Sequence, residues 1–192
     1  MSTKAYIYSN DNLYSGDLVL PDNVVEHIDD SHHLASKNKI STSMYSYLYE
    51  IVGGELTYTV NNKPIHDSNE ISVSHSNKFH GFVISDVSVG FDLEELIVED
   101  KLNPLKEMIL TKKEKEEYAN AKSKQEYLTV RWCVKEAYGK MIGYGLTKEA
   151  FDCDDIPYKW ARINDSIVVV VFKNQPQDVE FILNGEPLSG EH

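Results

Sequence analysis

The chain is short of cysteine, of positive charge and of long apolar runs, and each shortage removes a class of protein. Its two cysteines, Cys133 and Cys153, stand at unrelated positions. They make neither a disulfide framework nor a metal-ligand spacing, and a reducing, cytoplasmic setting is expected. Lys and Arg number 19 against 31 Asp and Glu, for a formal charge of -12. Phosphate neutralisation along a nucleic acid needs clustered cations, so no nucleic-acid partner is expected and any phosphate handling must be local. The longest apolar stretch, Ile167 to Phe172, is far too short to span a bilayer, and the N-terminal "MSTKAYIYSNDNLYS" lacks the charged, apolar and small regions of a secretory leader. No membrane or targeting segment is expected.

What remains is the composition of an ordinary globular protein: 192 residues, 41% hydrophobic and 10% aromatic, enough for one substantial core or two small ones packed together. Tyr6 to Tyr8 reads as a short strand, and "DDSHH" at Asp29 to His33 as a loop and helix start. Ile40, Met44, Tyr47, Leu48 and Ile51 recur at helical spacing before the stop signal of Gly53 and Gly54. "ELTYTVNNKPI", "ISVSHS" and "GFVISDVSVGFDLEEL" carry the period-two alternation of strands, the first turning at Asn61 and Asn62. After a charged connector near Asn103 and Pro104, two capping boxes (Thr111 with Glu114, Ser123 with Glu126) mark helix starts. The second of these helices runs to Gly143 or Gly145, and "WARINDSIVVVVFKNQPQDVEFIL" returns to strands.

Two segments carry candidate chemistry. In "SVGFDLEEL" the alternation sets Val89, Phe91 and Leu93 on one face and Gly90, Asp92 and Glu94 on the other, with the carboxylates about 7 Å apart along the strand. In "TVRWCVKEAYGKMIG" Glu136 and Lys140 share a helix face, with Trp132 one turn earlier and Gly139 leaving backbone open to close approach. A mid-helix glycine costs about 1 kcal/mol against alanine, which a merely solvated surface would not require. "SVSHS" offers Ser74, His75 and Ser76. Neighbours on a strand point to opposite faces, so a Ser-His nucleophile pair is not expected, and phosphate contact is the better use. Histidine-ligated metal is not expected either: His32 and His33 are adjacent, His66, His75 and His80 lie at no standard spacing, and His192 is terminal.

"SVSHS", then "VGFDLE", then "WCVKEAYGKMIGYGL" resemble in order and spacing the three blocks of the surfactin-synthetase type of 4′-phosphopantetheinyl transferase: SHS, GxDxE and WxxKEAxxK. The resemblance spans Lys63 to Leu146 and includes the preceding "KP" at Lys63 and Pro64. It implies transfer of the phosphopantetheine arm of coenzyme A to a serine of an apo acyl or peptidyl carrier protein, with release of adenosine 3′,5′-bisphosphate. It also implies Mg²⁺ held by Asp92, Glu94 and Glu136. Three carboxylates repel by on the order of 4 kcal/mol per close pair at an effective dielectric near 20, so such a cluster needs a cation.

By the same resemblance Glu136 accepts the carrier serine's proton and Lys140 stabilises the departing phosphate oxygen. Lys63, Ser74 and His75 then contact coenzyme A, with Lys39 and Lys37 a looser match to basic residues near the nucleotide. The chain departs from the family pattern at Asn77, where a glycine usually follows SHS, and in a thin N-terminal basic cluster. The implied fold is α+β, a monomeric pseudo-dimer of two similar halves (1–98 and 99–192), each a helix on a small antiparallel sheet, with the active site in the cleft between them. Two other readings use the same residues: a silent coenzyme A or carrier-binding module, and a Mg²⁺-dependent nucleotide phosphohydrolase.

Overall fold

The computed structural model describes residues 2–31 and 35–189, apart from the side chains of residues 31 and 35–37. Lys37, His32, His33 and His192 therefore lie outside what is described. Among the described residues, six α-helices and three sheets form an α+β protein. Strand β1 (Thr3–Ser9) is followed by α1 (Asp22–Ser31), α2 (Ala35–Val52) and the short pair β2 (Thr57–Tyr58) and β3 (Pro64–Ile65). Next come β4 (Glu70–His75), β5 (Phe79–Ser85) and β6 (Val89–Glu95), then α3 (Leu102–Ile109), α4 (Lys112–Asn120), α5 (Lys124–Ile142) and α6 (Lys148–Asp152). Strands β7 (Tyr158–Ile163), β8 (Ser166–Phe172), β9 (Val179–Leu183) and β10 (Glu186–Pro187) close the chain.

The first sheet has the order β10-β9-β1-β5-β4 and the second β6-β8-β7. Their membership crosses residue 98 in both directions: β6 pairs antiparallel with β8, and β9 pairs with β1. The β1–β9 pair is parallel, with Thr3 opposite Val179 and Ile7 opposite Leu183, whereas the resemblance implies antiparallel sheets throughout.

Strand β8 explains how the layers stack. Its apolar run has no polar alternation because both faces are covered. Val168, Val170 and Phe172 join Ala5, Val83 and Phe91 in a core between the two sheets, while Ile167, Val169 and Val171 pack on Val130, Val134 and Ala137 of α5. On the outer face of the first sheet, Phe82 and Ile84 meet Val24 and Ile28 of α1 and Met44 and Leu48 of α2. Helix, sheet, sheet and helix thus alternate, with apolar surface buried at each junction.

Two helices depart from the sequence reading. Helix α1 has already begun at Asp22 and includes Asp29 and Asp30, because Val24 and Ile28, one turn apart, are 0% and 2% exposed and anchor it. The expected connector at Asn103 and Pro104 is the first turn of α3, where the missing proline N–H has no intrahelical partner to lose. The capping box of Thr111 and Glu114 forms at the start of α4. Helix α5 ends at Gly143, whose φ of 81° is the left-handed cap that glycine adopts without strain.

Candidate active site

Strands β4 and β6 belong to different sheets yet run side by side, joined by serine side chains rather than a backbone ladder. Ser72 Oγ accepts the Phe91 N–H at 3.1 Å, and Ser74 Oγ donates to Asp92 Oδ1 at 2.9 Å. Helix α5 lies across β6 on the opposite side from the inter-sheet core. At their crossing Gly90 packs on the Ala137 carbonyl so closely that any β-carbon would overlap it. That contact sets Glu136 and Lys140, one turn apart on α5, over Asp92 and Glu94 on β6.

The Lys140 ammonium donates to Asp92 Oδ1 at 2.7 Å and to Ser74 Oγ at 2.8 Å. Asp92 is 3% exposed, and its second oxygen, Oδ2, is buried without a hydrogen-bond partner. Glu94 is pushed up to about 7, first by burial and then by the charges of Asp92 and Glu95, against the opposing pull of Lys140. Burial and Asp92 likewise raise Glu136. Beneath them Cys133 is fully buried, and that burial with the charges of Asp92 and Glu94 drives its thiol well above the ordinary range. The local field is therefore strongly negative, with one ammonium partly offsetting three carboxylates.

Asp92, Glu94, Glu136, Lys140, Ser74 and His75 line one cavity of about 320 Å³. Its other wall is apolar and aromatic, formed by Ile28, Met44, Tyr45 and Val73, with His27 stacked 3.7 Å from the Tyr58 ring. Ser41 also lines it, with a buried hydroxyl that has no partner. Sequence reasoning missed this wall because most of its residues, Ile28, Met44, Tyr45 and His27, come from α1 and α2, far along the chain from the acidic strand. Ser72 was missed as well, although it stands two residues before Ser74 on the same strand face.

The remaining candidates lie elsewhere. Lys63 lines a neighbouring cavity of about 530 Å³, which shares Lys140 as a wall, and its ammonium contacts Glu70 Oε2 and Met141 O, each at 3.3 Å. Lys39 is exposed on α2 and lines neither cavity. Gly139 also lines the second cavity, but the group that comes closest to it is the chain itself. Gly145 packs against it, and the amides of Gly143, Tyr144 and Gly145 all donate to its carbonyl. Trp132 joins the apolar cluster of Ile109 and Leu128. Lys135 is fully buried away from the cavity, paired with Glu114 at 2.9 Å and bonded to Phe151 O at 2.6 Å.

Among the described residues, no three Asp, Glu, His or Cys side chains already converge as a metal cage. The donor set nevertheless fits a hard cation. Asp92 Oδ2 is an unsatisfied buried oxygen, and the charges around Glu94 disfavour its ionised form in the absence of a cation. Lys140, on the same oxygen of Asp92 as Ser74, leaves Oδ2 for such an ion.

Residues 88–182 match the family model of the 4′-phosphopantetheinyl transferase superfamily. That stretch is a domain of the superfamily, by class a 4′-phosphopantetheinyl transferase domain. The matched span contains Asp92, Glu94, Glu136 and Lys140, whereas Ser74 and His75 precede it. No curated protein matches the chain. Among the described residues, no helix is long and apolar enough to cross a membrane.

Proposed function

We propose that the protein transfers the 4′-phosphopantetheine arm of coenzyme A to a serine of an apo carrier protein, as a transferase of the surfactin-synthetase type. The observation that supports this reading is the meeting of Ser74, His75, Asp92, Glu94, Glu136 and Lys140 on one cavity. Of these six, Ser74, His75, Asp92 and Glu94 come from residues 1–98 and Glu136 and Lys140 from residues 99–192, which accords with a site assembled between two parts of the chain. Asp92, Glu94 and Glu136 would hold Mg²⁺, which when bound neutralises pyrophosphate charge.

The carrier hydroxyl attacks the β-phosphorus of coenzyme A. The new serine O–P bond forms as the bond to the bridging oxygen breaks, and adenosine 3′,5′-bisphosphate leaves. Glu136 receives the serine proton, for which the raised basicity caused by its burial and by Asp92 suits it. Lys140 places positive charge beside the departing oxygen and, through Ser74 and Asp92, is held there before substrate arrives. His75 and Ser74 contact the phosphates of the nucleotide, and the aromatic wall of Tyr45 and His27 excludes water from its other side.

Intact mass of an apo carrier protein, measured after incubation with coenzyme A and Mg²⁺, tests this. The expected result is a carrier heavier by one phosphopantetheine arm. An unchanged carrier with coenzyme A cleaved would make the protein a phosphohydrolase, and an unchanged carrier with intact coenzyme A a silent binding module.

A further inference from the structure

Behind the cavity, a buried chain of hydrogen bonds runs from α2 to the turn that follows His75. Its centre is His80, which is 0% exposed and stands directly across the β4–β5 ladder from His75. His80 Nε2 is 3.1 Å from Ser43 Oγ on α2, and Nδ1 is 2.9 Å from Asn10 Oδ1 just after β1. The Asn10 amide in turn donates to the carbonyls of Ser76 at 3.0 Å and Asn77 at 2.9 Å.

The partners fix every proton in this chain. Asn10 Nδ2 faces two carbonyls and must donate, so its Oδ1 is an acceptor and His80 Nδ1 carries hydrogen. Ser43 Oγ already accepts the Tyr14 N–H at 2.8 Å, which leaves its own hydrogen for the bare Nε2. A neutral imidazole thus satisfies all donors and acceptors in one direction, from Tyr14 through Ser43, His80 and Asn10 to the turn. The groups packed on His80 agree with neutrality. His75 lies across the ladder, Tyr8 of β1 stacks at 5.8 Å and Tyr47 of α2 at 6.3 Å, and none of these brings a negative charge. Burial accordingly lowers the imidazole to about 4.

We infer that His80 is a positioning residue for coenzyme A: acting through Asn10, it holds the turn at Ser76 and Asn77, and thereby sets His75 and Ser74 at the end of β4 against the nucleotide. The other side of the turn is held independently, since Lys78 N–H donates to Glu95 Oε1 at 3.0 Å. With both anchors the turn is fixed between the two sheets; without the Asn10 side chain it keeps the Asn10 N–H bond to Lys78 O at 2.8 Å and its ties to Glu95 and Asp165, but the carbonyls of Ser76 and Asn77 are released. The inference rests on the proposed function for the identity of the ligand.

The test separates the two ring nitrogens. His80→Asn places an amide donor where Nδ1 stood, so it keeps the bond to Asn10. His80→Gln reaches only the Nε2 position, towards Ser43. Asn10→Ala removes the anchor while leaving His80 in place. Coenzyme A Kd is measured by titration calorimetry, KM and kcat by carrier loading, and exchange of the Ser76 and Lys78 amides by hydrogen–deuterium exchange without ligand. We expect His80→Gln and Asn10→Ala to raise Kd and KM for coenzyme A about five- to tenfold with kcat within twofold, and to speed exchange at the turn, as loss of a hydrogen bond worth about 1 kcal/mol or slightly more implies. His80→Asn should restore all three.

Wild-type Kd and slow exchange in Asn10→Ala, or a His80→Asn protein as impaired as His80→Gln, would overturn the role of His80. Should the unaltered protein bind no coenzyme A, the proposed function fails on its own account, and the exchange rates still decide whether His80 holds the turn.

Discussion

Gly90 on β6 and Ala137 on α5 are in backbone contact, with no room for a methyl group between them. Helix and strand are therefore set at a separation that only glycine permits, and this separation brings the acid pair of β6 under Glu136 and Lys140. Gly90→Ala should destabilise the fold by at least about 2 kcal/mol, since overpacking of this kind forces backbone to move. The corresponding fall in Tm is about 4 to 8 °C for a chain of this length. A melting curve that superposes on the wild type would show that the crossing is softer than described.

Glu136→Gln keeps side-chain volume while removing both basicity and the charge available to a cation. Carrier loading should fall at least a hundredfold, the usual contribution of a positioned base, with Tm unchanged. More than about a tenth of the original rate would remove Glu136 from that role. Chelation of divalent cations should silence the unaltered protein, and loading that persists in chelator would remove the metal from the scheme.

Glu114 is 1% exposed and pairs with two buried cations, Arg131 and Lys135, which are 5% and 0% exposed. It also closes the α4 capping box by accepting the Thr111 N–H at 2.9 Å. Glu114→Ala leaves both cations without their anion and should cost about 3 to 5 kcal/mol, read as a shift in urea midpoint at constant slope. A loss under 1 kcal/mol would mean that solvent reaches the pair on local opening.

His80 also makes stability depend on pH. Its folded value of about 4 lies below the ordinary histidine value of 6.5, so the unfolded chain takes up a proton first as pH falls. The stabilisation is complete above 6.5 and is lost progressively as pH drops towards 4, the loss reaching roughly 2 to 3 kcal/mol at the acid end of that window. Unfolding free energies of the wild type and His80→Asn, measured from pH 7.5 to 4, should converge by that amount. Parallel curves would show that the buried imidazole accepts its proton without penalty.

Lys63 is the least settled of the sequence-derived ligands, because its ammonium holds Glu70 and the end of α5. If it also serves the nucleotide, coenzyme A should bind more tightly than its 3′-dephospho form, and Lys63→Ala should narrow that gap by about 1.5 to 3 kcal/mol. An unchanged ratio in the variant would confine Lys63 to joining the hairpin to the helix.

The acidic and basic centre was legible because each half of it obeys a local period. Asp92 and Glu94 alternate on a strand, and Glu136 and Lys140 repeat on a helix. The order of helices and strands followed from the same periods, while the α+β class came from the family resemblance. What stayed hidden depends on pairings that no local period encodes. These include the use of β6 in the second sheet and β9 in the first, the serine stitching of β4 to β6, and the His27 and Tyr45 wall. Gly139 was read as a sign of close approach, and Gly90 on β6 proves to be another. The approaching groups turn out to be the Gly145 backbone and the Ala137 carbonyl, because a glycine records that something comes near without recording what. The lysines at 112, 113, 115, 122 and 124 stand among glutamates on the approach to α5. In the structure Lys113 pairs with Asp155, Lys115 with Glu107, and Lys124 caps the last carbonyls of α4.

The parallel pairing of β1 with β9 also bears on how the protein is made. Thr3–Ser9 is synthesised well before Val179–Leu183, with α1 to β8 between them, yet the two are neighbours in one sheet. Until β9 emerges, β1 can pair with β5 but keeps a free edge, the kind of unpaired strand that invites association with other chains. The nascent chain thus carries an adhesive border while α1 to β8 are being made, and the strand that seals it is supplied only after all of them.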